Sequence, residues 1–283
     1  MGVQIILLRK RDGHTHTEYC PHGTVDDVEL LIQKAISLGF QEYSITEHAP
    51  LPKSIYSEGA GPAEIFTTGG MAFNDVDHYL NKMARLKQKY KSDLCLHIGF
   101  EVDYFDTHLD WTKDFLNEYG PKTDDGILSV HFLPGIDGLR GIDFSAEDYS
   151  EGIVRYYQSF QKAQEAYYDM VLRSLEADLG PFKPTRLGHI SLCQKFQDFF
   201  QEESSFSPTS QKIIEEILLK VAEKQYSLDL NTAGLYKEFC NDIYPPAELV
   251  KKARSLNIPL VYGSDSHDLA DIGRGYTKIE QWI

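Results

Sequence analysis

Two histidines one residue apart, His14 and His16, follow Asp12-Gly13 near the start of the chain, and His22 lies six residues beyond His16. In an extended segment side-chain direction repeats every second residue, so both imidazoles of such a pair face one side and can reach one metal ion. The pattern recurs. Later apolar runs end in Glu47-His48, in Glu101, in His131, in His189, in Asn231, and in Gly263-Ser-Asp265-Ser-His267. Seven imidazoles (His14, His16, His22, His48, His131, His189, His267) and two carboxylates (Glu101, Asp265) exceed what one ion uses, because zinc-like ions take about four to six ligands, water included. Two to three divalent transition-metal ions are therefore expected. Imidazole and carboxylate without thiolate suit Mn, Zn, Fe or Co better than magnesium or calcium. The competing reading, histidines that only cap strands by hydrogen bonding, fits one site but not a repetition at six strand ends.

The elements that must position these groups alternate regularly. Strands are predicted over residues 3–8, 43–46, 94–103, 126–131, 185–189, 226–230 and 258–262, each short, apolar and bounded by turn residues. Between them helical spacing predicts helices over 24–38, capped by Thr24 and stopped by Gly39, over 75–90, over 112–118 and over 209–224. A capping box of Ser145 and Asp148 opens a long helix towards residue 178, and Pro245-Pro246 opens another through residue 256. Residues 49–73, rich in Pro, Gly and Ser, form a long loop on the His48 rim; 133–144 form a glycine-rich loop. Uninterrupted βα alternation implies a parallel sheet, and seven or eight units close into a barrel with its active site at the C-terminal strand ends. The fold class is α/β, a seven-stranded TIM-like barrel, in one domain spanning residues 1–283.

Composition excludes several functions. The formal charge of −15 opposes a long polynucleotide partner, since phosphate affinity comes from Lys and Arg. No run approaches the roughly 20 apolar residues of a membrane span. Residues 3–8 are too short for a secretory core, so the cytoplasm is the expected location. Cys20, Cys95, Cys193 and Cys240 are scattered and read as free thiols. Cys20 lies between His16 and His22, and is read as a half-buried loop residue rather than a ligand. His78 and His108 fall on exposed positions, and His97, four residues before Glu101, is read as a packed residue deeper in the barrel.

The combination Asp12-x-His14-x-His16, His22, Thr46-Glu47-His48, Glu101, Ser129-Val130-His131, Gly188-His189 and Gly263-Ser-Asp265-x-His267 resembles the polymerase and histidinol phosphatase (PHP) superfamily of distorted seven-stranded barrels. Within it, Arg11-Asp-Gly-His-Thr-His16, Phe100-Glu-Val-Asp-Tyr104, Asn231-Thr-Ala-Gly234 and Gly-Ser-Asp265-Ser-His267 look most like the stand-alone histidinol-phosphate phosphatase branch. Glu47 stands where many members have Asp. The resemblance implies three ions: a first on His14, His16, Asp265 and Glu101; a second, bridged by Glu101, on His131 and His189; a third on His22, His48 and His267. It further implies hydrolysis of L-histidinol phosphate, a small-molecule substrate, by a metal-bridging hydroxide that attacks phosphorus. Catalytic roles then fall to Glu101, Asp265, His267 and Arg186. Arg186, three residues before His189, is the first candidate for a bidentate phosphate contact, with Arg274 and Arg140 behind it. A nuclease of the same superfamily and an amidohydrolase-like metal enzyme remain as alternatives. The latter commonly bridges its metals with a strand-end lysine, where this chain has Glu101.

Overall fold

The computed structural model describes residues 9–200 and 204–283; the strand predicted at 3–8 lies outside them. Seven parallel strands run in the order β1-β2-β3-β4-β7-β8-β9: β1 (Arg11–Asp12), β2 (Glu42–His48), β3 (Cys95–Asp103), β4 (Ile127–Ser129), β7 (Arg186–Leu187), β8 (Ser227–Asn231) and β9 (Leu260–Gly263). The antiparallel hairpin of β5 (Phe132–Gly135) and β6 (Gly138–Gly141) lies outside that sheet and occupies most of the segment predicted as a loop at 133–144, starting one residue before it. The ladder continues from the last strand to the first. Gly13 N donates to Tyr262 O at 2.7 Å, Asp265 N to His14 O at 2.9 Å, and His16 N to Ser266 O at 2.9 Å, which closes the barrel at its C-terminal rim. A Cβ on Gly13 would stand 2.3 Å from Val261 Cγ1 and 2.8 Å from Arg186 Nη1, so only glycine permits this approach.

Helices cover the outside because each carries one apolar stripe. Val28, Leu31, Ile32 and Ala35 of the helix Val28–Ser37 are buried, as are Val76, Tyr79, Leu80, Met83 and Leu86 of Val76–Tyr90. Ile214, Ile217, Leu218 and Val221 do the same in Pro208–Glu223. Together with the strands they form one continuous apolar core.

Local corrections have local causes. The first helix begins at Val28 because Asp27, not Thr24, accepts from Glu29 N; the Thr24 hydroxyl donates to Asp26. The long helix predicted over 145–178 is broken. Gln158 adopts φ 73°, a left-handed conformation, and Ser159 then caps a new helix, Phe160–Glu176, by accepting from Lys162 N. The segment 49–73 contains two short helices, Ile55–Glu58 and Glu64–Thr67, held by a small core of Leu51, Ile55, Ile65, Phe66, Phe105 and Phe132. Its rich Pro and Gly content hid that packing. His97 sits near the start of β3, away from the rim, bonded to Glu42 at 3.2 Å, and His78 is exposed. Among the described residues no helix is long and apolar enough to cross a membrane.

Candidate metal centre

Six of the seven barrel strands deliver a ligand-type residue to one rim. His14 and His16 follow β1, His48 ends β2, Glu101 lies two residues before the end of β3, His131 follows β4, His189 follows β7, and Asp265 and His267 follow β9. Strand pairing places His48 directly beside Glu101. Glu101 is the hub. Its Oε2 is 3.1 Å from His14 Nε2 and 3.2 Å from His48 Nδ1, while Oε1 is 2.9 Å from His189 Nε2 and accepts from Ser129 Oγ at 2.6 Å. His16 Nε2 is 3.2 Å from Asp265 Oδ1.

The outer nitrogens of these rings are held by carboxylates. Asp229 takes His14 Nδ1 at 2.7 Å, Glu47 takes His16 Nδ1 at 3.2 Å, and Asp103 takes His131 Nδ1 at 2.8 Å. A carboxylate behind a histidine fixes the tautomer and turns Nε2 inward, which is the usual support of a metal-ligating imidazole. Sequence reasoning missed Asp229 and Asp103. The signals were present: an acid inside an otherwise apolar strand, and an acid two residues from Glu101 on the same face. Glu47 reaches His16 and also accepts from Thr17 N and Oγ1, at 2.8 and 2.6 Å.

Three groups of donor atoms, each within 4.8 Å of one another, suit a metal ion: His14, His16 and Asp265; Glu101, His131 and His189; and His16, Cys20, His48 and His267. His22 stands beside the third group, its Nε2 2.9 Å from His267 Nε2 and its Nδ1 bonded to Thr68 O at 2.8 Å. Cys20 is buried rather than half-buried, and burial pushes its thiol up, which disfavours the thiolate that a metal ligand needs.

The chemistry of the donor set fits divalent ions. His16 Nε2 and both ring nitrogens of His48 are buried and make no well-directed hydrogen bond among the described residues. Asp265 Oδ1 lies 3.2 Å from His16 Nε2 and Glu101 Oε2 lies 3.2 Å from His48 Nδ1, a costly arrangement unless a cation lies between them. His131 Nε2 and His189 Nε2 also face each other at 3.2 Å. Burial, reinforced by His16, drives His48 and His267 well below the ordinary histidine range, so both rings are neutral. Burial opposes charge on the Glu101 carboxyl, yet His14 and His131 outweigh it and hold the group well below the usual range. For His16 the burial effect is overcome by Asp265 and Glu47, and its pKa rises to about 9. For His131 it is overcome by Asp103 and Glu101, and the value rises to about 10.

A cavity of about 340 Å³ opens over the cluster. His22, His48, Glu101, His131, His189, Asp265 and His267 form its floor. Three cations, Lys195, Lys237 and Arg274, stand in its wall. Asp271 pairs with Arg274, whose guanidinium lies 5.0 Å from the Tyr236 ring centroid, and Asp143 lies 3.4 Å from Lys195 Nζ. Neither lysine was singled out from sequence, because a lysine in a loop carries no spacing signal.

Arg186 and Arg140 are corrected. Arg186 is buried beneath the floor at the N-terminal end of the barrel, donating to Gly13 O at 2.7 Å and Asp125 Oδ2 at 2.9 Å. A strand residue three before His189 necessarily enters the sheet below the rim, where its charge is neutralised. Arg140 turns into the hairpin, donating to Ile136 O at 3.0 Å and Asp148 Oδ1 at 2.9 Å. Neither lines the cavity.

Residues 12–233 match the PHP domain family, and residues 250–283 the PHP-associated family. The histidinol-phosphatase of Bacillus subtilis is 36% identical over 269 residues, covering 95% of this chain and 97% of that protein. A crystal structure of a candidate histidinol phosphatase from Listeria monocytogenes superposes with a TM-score of 0.93 at 58% identity, over 95% of this chain and 99% of the other. A histidinol phosphate phosphatase from Lactococcus lactis, complexed with zinc, L-histidinol and phosphate, shares the fold at a TM-score of 0.69 and 18% identity, over 97% of this chain and 94% of that one. With a family match from Asp12 to Ala233 and an alignment to the Bacillus protein over nearly its whole length, this chain belongs to the PHP family.

Proposed function

We propose that this protein is a metal-dependent phosphomonoesterase that hydrolyses L-histidinol phosphate to L-histidinol and phosphate, a step of histidine biosynthesis carried out in the cytoplasm. The observation that carries the reading is the cavity itself: a floor of imidazoles and carboxylates meets a wall of Lys195, Lys237 and Arg274, in a chain of net charge −15. Cations concentrated at one small site suit a compact phosphate, not a nucleic-acid track. The likeness to the Bacillus histidinol-phosphatase along nearly the whole of both chains supports the same substrate. The whole of residues 1–283 is read as one functional unit.

The ligand sets are read as His14, His16, Asp265 and Glu101; Glu101, His131 and His189; and His22, His48 and His267. That makes two to three divalent ions, of Mn, Zn, Fe or Co type. When bound, such ions supply Lewis-acid stabilisation of the phosphoryl group and a nucleophile generated from water at neutral pH. The chain's own residues do the rest. Asp229, Glu47 and Asp103 hold His14, His16 and His131 in one tautomer. Arg274, Lys195 and Lys237 receive the phosphoryl oxygens, Arg274 kept in place by Asp271 and by the face of Tyr236. Burial, with Lys195 and Arg274 nearby, lowers the pKa of Lys237, so a phosphate dianion there relieves a repulsion already built into the wall.

The test is a parallel assay of the metal-loaded protein on L-histidinol phosphate, nucleoside monophosphates, a short single-stranded oligonucleotide, p-nitrophenyl phosphate and a simple amide. Histidinol phosphate is expected to be preferred over the others by orders of magnitude, and strong chelation to abolish turnover. Comparable efficiency on p-nitrophenyl phosphate, or cleavage of the oligonucleotide, would overturn the assignment.

A further inference from the structure

Five carboxylates line the cavity: Glu64, Glu101, Asp143, Asp265 and Asp271. Four of them already face cationic or imidazole groups. Glu101 and Asp265 belong to the histidine cluster, Asp143 lies 3.4 Å from Lys195 Nζ, and Asp271 is paired with Arg274. Glu64 differs: among the described residues its carboxylate has no ion-pair or hydrogen-bond partner, and it is exposed to the cavity mouth.

Its position is fixed. Glu64 opens the helix Glu64–Thr67, and its carbonyl accepts from Thr68 N at 2.9 Å and Thr68 Oγ1 at 2.8 Å. Thr68 O in turn accepts from His22 Nδ1 at 2.8 Å. Glu64 therefore stands one helical turn, about 6 Å, from the carbonyl that holds His22. Ile65 and Phe66 anchor the turn in the small apolar core.

Topology then polarises the mouth. Lys195, Lys237 and Arg274 come from the loops after β7, β8 and β9, whereas Glu64 comes from the loop after β2. In the closed order β1-β2-β3-β4-β7-β8-β9, β2 lies across the ring from β8. A ligand spanning this cavity meets positive charge on one side and a free carboxylate on the other. That pattern matches a phosphomonoester carrying a primary ammonium two carbons from its ester oxygen.

We infer that Glu64 is a specificity-determining residue, which accepts the substrate's ammonium group while the phosphate lies between the metal-ligand cluster and the cationic wall. This rests on the phosphatase reading above and names the group that restricts it to an amine-bearing substrate. A carboxylate that accepts a charged donor only from the right substrate discriminates strongly against an analogue lacking that donor.

The experiment compares full-length, metal-loaded wild type and Glu64→Gln on L-histidinol phosphate and on its deaminated analogue, 3-(imidazol-4-yl)propyl phosphate. For Glu64→Gln, kcat/KM on histidinol phosphate is expected to fall about 10- to 100-fold, and on the deaminated analogue to change by less than about twofold. An equal fall on both substrates assigns Glu64 a general role and overturns the inference. So does a Glu64→Gln enzyme that keeps the wild-type preference for the amine. A wild type that turns over neither compound overturns the phosphatase reading itself, and this assignment with it.

Discussion

At the N-terminal end of the barrel, Asp125 accepts from Arg11 at 2.5 Å and from Arg186 at 2.9 Å, and Arg186 also donates to Gly13 O. At the C-terminal end, His16 Nε2 and both nitrogens of His48 are more deeply buried than Arg11 or Asp125, yet make no well-directed hydrogen bond among the described residues. Both ends bury polar groups that cost several kcal/mol if left uncompensated. The bottom pairs its charges within the chain, Arg186 and Arg11 against Asp125, and leaves only Arg186 Nε of that cluster without a partner among the described residues. Burial pushes the Asp125 carboxyl up, but Arg186 and Arg11 outweigh it and keep the group below its ordinary value. The rim leaves its compensation to something that arrives. In this barrel the balance of partners, rather than charge or burial alone, distinguishes a structural cluster from a chemical one.

The sharpest way to break that comparison is at its hub. Glu101→Gln should lower turnover by about 10³-fold or more and reduce metal content, because a neutral amide is a poorer ligand and no longer offsets adjacent cations. Elemental analysis and kcat on histidinol phosphate would be read together; a variant with full metal content and normal turnover would remove Glu101 from the centre.

Arg186→Ala addresses the other end. It leaves Asp125 with one cationic partner instead of two and Gly13 O without its donor, so stability should fall by about 3–5 kcal/mol. The kcat of the folded, metal-loaded fraction should stay within a few-fold of wild type. Denaturant unfolding and active-site-normalised kinetics check this. A stable variant with a 100-fold loss of kcat would return Arg186 to the phosphate.

Arg274→Ala belongs to the rim and should behave in the opposite way, with metal content and stability retained and kcat/KM reduced by about 100-fold. Retained kcat/KM would leave the phosphate to Lys195 and Lys237.

The smallest effect expected is in proton release. With His16 raised to about 9 and His131 to about 10, both bind a proton at pH 7 in the metal-free protein. Because these folded values exceed the ordinary 6.5, the protons stabilise the metal-free fold below about pH 6.5, and that contribution fades as pH rises through 9 to 10. A metal ion needs the bare nitrogen, so loading at pH 7 should release protons and affinity should rise with pH. Calorimetric titration of metal into metal-free protein, in buffers of different ionisation enthalpy, measures the number released; zero would mean that both rings are already neutral.

The βα alternation and the placing of a ligand type at six of the seven strand ends were legible in the sequence, because a period of two, helical spacing and turn residues are local signals. The rim histidines, Glu101 and Asp265 needed no more than that. What local signals missed depends on partners distant in the chain: Asp229 behind His14, 215 residues away, and Asp103 behind His131. The break at Gln158 was hidden by an unbroken apolar stripe, and the core beneath residues 49–73 by their loop-like composition. Arg186 is the clearest case. Its sequence position beside Gly188-His189 is shared with the rim, but its side chain leaves a two-residue strand into the barrel floor, where Asp125 and Gly13 O are waiting. The sequence by itself determined which residue types reach the rim, since strand ends follow from pattern; which charges are neutralised and which face the cavity was decided only when closure of the barrel brought the loops after β2, β7, β8 and β9 around one space.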